Sequence, residues 1–163
     1  MSLTSTRLLS LVLATLFSVH GTSQESALSG PFLLTPTTPE AELRDQPVSE
    51  EDLAILLRAD ELLRDSSVWN RQDDRVCDDD ESTGKRSLFC ALQKASIEVL
   101  GTYDHRRVAL QEVRFAIVDA TNGRRFEHRL RDYNNLPETE LSDIKSILST
   151  AVVHVRSRLG RED

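Results

Sequence analysis

A chain of 163 residues is long enough for one domain and little more. Its 20 Lys and Arg stand against 27 Asp and Glu, a formal charge of -7. That surplus of acid excludes a general binder of nucleic acid or of anionic membranes, both of which draw on excess Lys and Arg.

Residues 1–23 read as a signal peptide. Arg7 precedes the apolar run 8–17, and small or turn-forming residues follow it to Ser23, which is the order a secretory signal requires. The run is about half the ~20 residues that span a bilayer, so no stable membrane insertion is expected after cleavage, and the mature protein is expected to be secreted or periplasmic. Residues 24–48 are rich in Ser, Thr, Pro and Gln, with Pro31, Pro36, Pro39 and Pro47 spaced through them. Such spacing forbids a continuous helix or a central strand, and the segment reads as a disordered spacer. A helical domain is expected over 49–160.

Ser49 opens the first helix as its cap, with Asp52 in the capping-box position. Leu53, Leu56, Leu57, Ala59 and Leu63 recur at helical spacing as its inward face. Asp65-Ser66-Ser67 ends it. Trp69, the lone tryptophan, reads as a core or lid residue, with ligand stacking as the alternative.

The stretch 70–86 then carries Asp73, Asp74, Asp78, Asp79, Asp80 and Glu81. Against the calcium-loop spacing, Asp79 at position 1 places Glu81, Thr83 and Gly84 suitably, but position 12 is Cys90 rather than a bidentate acid. The segment reads as a solvated acidic loop; weak cation or ligand contact by Asp78, Asp79, Asp80 and Glu81 is the alternative. In an oxidising compartment Cys77 and Cys90 read as a disulfide that pins this loop to the next helix, a closure that stabilises by roughly 3 kcal/mol. No His or third Cys lies near them in sequence, so no metal centre is expected.

Ser87 caps a second helix with Leu88, Leu92, Ala95 and Val99 inward, stopped by Gly101. Asp104 is expected to cap a third, running on Val108, Ala109, Val113, Ala116, Ile117 and Ala120 to Asn122-Gly123. The same Asn-Gly pair is a hairpin signal, so an α+β fold with a hairpin there is the alternative. Arg124, Arg125, Arg129 and Arg131, with His128, form a basic patch that reads as solvated surface or, alternatively, as a seat for an anionic ligand. The stretch 133–137 reads as a turn, with Asn as cap and Pro137 at the first helical position. The last helix runs on Leu141, Ile144, Ile147, Leu148, Ala151, Val152, Val155 and Leu159.

Nothing here forms a catalytic constellation. His105, His128 and His154 lack a His-Glu-x-x-His pair or a nucleophile elbow, and no glycine-rich phosphate loop exists. No cofactor is expected. The order Trp69, Cys77, Phe89-Cys90-Ala91-Leu92, then Tyr133-Asn134-Asn135 ahead of Thr139 and a closing amphipathic helix, resembles small bacterial proteins built around a helical domain of unknown function. That resemblance covers about 53–151 and implies a small helical domain with no activity to carry over; Asn135 stands where those proteins have Asp. The expected fold is all-α, about four helices with one disulfide. The expected function is a small extracytoplasmic binding or interaction module for a protein partner or small ligand. The alternative, a hydrolase or cation-binding protein, requires the acids of 73–81 to meet His105 or His128 in one pocket.

Overall fold

The structure is a computed structural model and describes residues 46–160. The expected signal segment and all of the spacer except 46–48 lie outside the described residues. Six helices appear among those described: α1 (Glu50–Leu62), α2 (Cys77–Thr83), α3 (Leu88–Leu100), α4 (Val108–Ala120), α5 (Arg129–Asn134) and α6 (Leu141–Arg158). The all-α class is as expected, and Cys77 and Cys90 form the expected disulfide, with Cα atoms 5.3 Å apart. The hairpin alternative is overturned: no strand occurs among the described residues, only a single parallel bridge in which Arg86 N donates to Val68 O (2.7 Å) and Asn70 N to Arg86 O (2.8 Å). Asn122 and Gly123 do take positive φ, 51° and 78°, but they use it to end α4, and Gly123 N donates to Val118 O (2.8 Å). A left-handed pair closes a helix as readily as it turns a hairpin.

α1, α3, α4 and α6 bury one continuous core that includes Ile55, Leu56, Leu92, Leu110, Ile117, Ile144 and Leu148, each fully enclosed. α3 and α6 pack on either side of α1, α4 packs on α6, and α5 lies across α3 and α4. α3 and α6 present the faces read from their periodicity. In α1 one position differs: Leu57 is exposed while Ile55 is buried, because the buried face runs through Leu53, Ile55, Leu56, Ala59 and Leu63 and leaves Leu57 just outside it.

The caps tell a similar story. Ser49 N donates to Asp52 Oδ2 (2.9 Å) as the capping box requires. Asp52 does more than cap, since its other oxygen accepts from Arg107 Nε (2.8 Å) and Ala109 N (3.1 Å), tying the start of α1 to the start of α4. Asp104 instead closes a turn onto Arg106 N, and Arg107 precedes α4. α6 starts at Leu141 behind Glu140, whose N donates to Asp143 Oδ2 (2.9 Å), so Pro137 is not a helix-first residue.

Candidate functional site

The acidic stretch is not the open loop expected. Residues 77–83 form α2, ended by Gly84 at φ 69°. Glu81 is held between Arg86 (3.0 Å) and Lys94 (3.1 Å). Two cations neutralise it against the outer side of α3, and the disulfide fixes the opposite end of the short helix. Asp78 is exposed; the side chains of Asp79 and Asp80 lie outside what is described. Asp78, Glu81 and the disulfide share a small depression with Gln93, Lys94 and Ile97.

Trp69 serves the frame. Its indole Nε1 donates to Asn134 Oδ1 (3.0 Å), and the Arg71 guanidinium lies over its ring, 5.9 Å from the centroid. Asn134 is fully buried; the same oxygen accepts from Leu88 N (3.0 Å) in the first turn of α3, while Nδ2 donates to Asn70 O (3.0 Å). Asn135 clasps the neighbouring backbone from both sides, accepting from Asp73 N (2.7 Å) and donating to Asp73 O (2.8 Å). The Asn-Asn pair, read as a turn that caps the last helix, is thus the knot that ties 69–73 to α3 and α5.

This knot and the disulfide flank Arg75, which sits at φ 68° with its N donating to Asp73 Oδ1 (2.7 Å). A non-glycine residue in that region costs about 1–2 kcal/mol and persists where its surroundings over-determine it. From this backbone the Arg75 guanidinium lies 5.6 Å from the Phe89 ring centroid and 3.3 Å from His128 Nε2.

Arg75 forms one wall of a cleft of about 400 Å³. Its apolar side is Phe89, Tyr103, Phe115, Phe126 and Leu130, with Phe89 and Tyr103 edge to face at 6.1 Å and 87°. Its polar side is Arg114 from α4, Arg129 and Arg131 from α5, and His105 and His128 from the connecting loops; Glu127 is the lone carboxylate lining it. The Arg114 Nη1 donates to the His105 carbonyl (2.8 Å). Burial lowers the pKa of Arg114 from the ordinary arginine value, and the neighbouring Arg129 pushes the same way. Burial likewise raises the Tyr103 phenol, against the pull of Arg114 beside it. Arg131 is neutralised by Asp132 (2.6 Å), whose other oxygen accepts from His128 N (2.8 Å) and so closes the start of α5.

The residues singled out from sequence therefore separate. His128 lines the cleft; Trp69, Asp78 and Glu81 do not. The hydrolase alternative needed the acids of the 73–81 stretch beside His105 or His128, yet Asp78 and Glu81 lie over the disulfide with α3, in a different depression. No group of three or more His, Cys, Asp or Glu side chains suited to a metal ion occurs among the described residues. Sequence reasoning found the basic patch at 124–131 but missed Arg75, Phe89, Tyr103 and Arg114. One signal was available: a bridge from Cys77 to Cys90 necessarily brings 75–77 alongside the first turn of α3, and hence Arg75 beside Phe89.

Residues 47–154 match the model of a family of unknown function, DUF6197. The chain belongs to the DUF6197 family. No curated protein and no solved structure matches it. The match runs from before α1 into the last turns of α6, so the disulfide, the Asn134 knot and the cleft all fall within the DUF6197 domain. The resemblance to a helical domain of unknown function thus holds. No helix among the described residues is long and apolar enough to cross a membrane.

Proposed function

We propose that this DUF6197 protein is an exported binding module whose ligand seat is the cleft between Arg75, Phe89, Tyr103 and Arg114. The observation that carries the reading is a concave site of ligand size with aromatic walls and convergent cations, built on a left-handed arginine held from both sides. Binding is favoured over catalysis because Asp78 and Glu81, two of the acids expected to work with a histidine, line a different depression. Export is supported by the disulfide, which forms and persists in oxidising compartments, and by the charged-then-apolar order of the first 23 residues.

A fragment library titrated into isotope-labelled mature protein tests the seat. Shifts that cluster on the amides of 75, 89, 103 and 126 are expected; hits scattered over the surface, or clustered on the disulfide face of α3, overturn the reading. N-terminal sequencing of native material tests export, with loss of about the first 23 residues expected and an intact N-terminus contradicting it.

A further inference from the structure

We propose that the cleft takes a small oxyanion, a carboxylate or phosphate, carried on a flat apolar body. This rests on the cleft being a ligand seat and adds the class of ligand. Four other partly buried arginines have acids beside them: Arg107 has Asp52 at 2.8 Å, Arg158 has Glu112 at 2.5 Å, Arg86 has Glu81 at 3.0 Å and Arg131 has Asp132 at 2.6 Å. Arg114 has none among the described residues; it faces a carbonyl, a phenol and the like charge of Arg129.

A chain with more acids than bases leaves this cation without a carboxylate partner in a cleft lined by four aromatic residues, Phe89, Tyr103, Phe115 and Phe126. A desolvated guanidinium is a strong, planar donor pair for a carboxylate or phosphate, and Arg75 on the facing wall supplies a second. Glu127, the single acid at the rim, lies 3.8 Å from His128 and is mostly exposed, so it leaves the inner end of the cleft positive. The rings of Phe89 and Tyr103 then cover what the anion is attached to, and a space of about 400 Å³ fits one or two rings rather than a macromolecule.

Four probes separate the parts of the proposal by titration calorimetry on the mature protein: phenyl phosphate, benzoate, inorganic phosphate and benzyl alcohol. Phenyl phosphate or benzoate is expected to bind at least about tenfold more tightly than inorganic phosphate or benzyl alcohol. Arg114→Gln is expected to abolish that preference over benzyl alcohol. Should this variant fail to fold, Arg75→Gly keeps the test open: glycine suits the left-handed backbone at that position, and a loss of at least about threefold in affinity for the aromatic anion, with no fall in melting temperature, is expected. Benzyl alcohol binding as tightly as the anions overturns the anion assignment while leaving the ligand seat intact. Inorganic phosphate matching phenyl phosphate overturns the flat apolar body. No binding of any probe below about 10 mM overturns the ligand class, and the fragment titration then decides separately whether the seat itself survives.

Discussion

Asn134→Ala is the substitution that probes the frame most directly. The side chain is fully enclosed and makes four hydrogen bonds: from Trp69 Nε1 and Leu88 N, each 3.0 Å, and to Asn70 O at 3.0 Å and Asn135 Oδ1 at 3.1 Å. Alanine fills little of the space and offers no partner. The Leu88 amide, buried at the start of α3, then bears the full cost of an unmade bond, about 1–3 kcal/mol, and the half-buried indole N–H and Asn70 carbonyl add about 1 kcal/mol between them. The expected loss is therefore about 3 kcal/mol, or roughly 10–15 °C in Tm for a domain of this size. Trp69→Phe removes one donor and keeps the ring packing, so it should cost about 1 kcal/mol. Because the two side chains share a bond, the losses must not add: on the Asn134→Ala background, replacing Trp69 deletes an already orphaned donor and costs close to nothing. Urea denaturation followed by far-ultraviolet circular dichroism on the two single variants and the double variant measures the coupling. A loss below about 1 kcal/mol for Asn134→Ala, or strict additivity with Trp69→Phe, would refute the claim that this residue ties the 69–73 segment to α3.

Replacing Cys77 and Cys90 by serine should lower stability by about 3 kcal/mol, as the closed loop of this length predicts; the midpoint in urea with and without reductant checks it, and the double variant should show no response to reductant. Asp52→Asn leaves Arg107 facing a neutral group at a site where the carboxyl is 1% exposed. A loss of about 2–3 kcal/mol is expected, below the range for a fully buried pair because Arg107 still reaches solvent. The Glu98 carboxyl lies below its ordinary value of 4.5, chiefly through its hydrogen bond from Arg58. A depressed acid stabilises above its unfolded pKa and loses that contribution as pH falls through the folded one, so stability should decline below about pH 4.5 in part through this group, and Glu98→Gln should flatten that part of the acid limb in a pH series of melting curves.

Periodicity made the helical class and most of the core legible. α3 and α6 carry apolar stripes, and most of their buried residues are those the spacing indicates, with Cys90 and Ser96 added in α3 and Val99 only half-buried. α1 misled because Leu57 satisfies an i, i+4 relation with Leu53 while Ile55 lies between; only packing against both α3 and α6 widens the buried stripe enough to take in Ile55. α2 was hidden by composition. A run of Asp, Ser and Thr favours turns, and its roughly two helical turns depend on the disulfide at one end and on Arg86 and Lys94 neutralising Glu81 at the other. α5 was hidden by its brevity and its charges; its apolar anchors are only Leu130 and Tyr133. The cleft was the least legible part, since its residues come from the 63–76 connection, α3, α4, α5 and the two loops beside α4, and no local pattern brings those together.

The position of Arg75 joins these pieces. Two residues before it, Asp73 is clasped by Asn135 on both its N–H and its carbonyl; two residues after it, Cys77 is bonded to Cys90. A segment anchored at both ends across five residues has few conformations left, and the one it takes places an arginine where glycine would be at ease. Core stability does not need that guanidinium: it lies on the surface side of Phe89 and contacts a histidine rather than an acid. What the two anchors achieve is a held backbone from which Arg75 reaches Phe89 and His128, in the lining of the cleft that Arg114 also shares. The disulfide and the asparagine knot therefore shape the edge of the cleft as well as the fold, and the left-handed Arg75 falls at that edge rather than in the core.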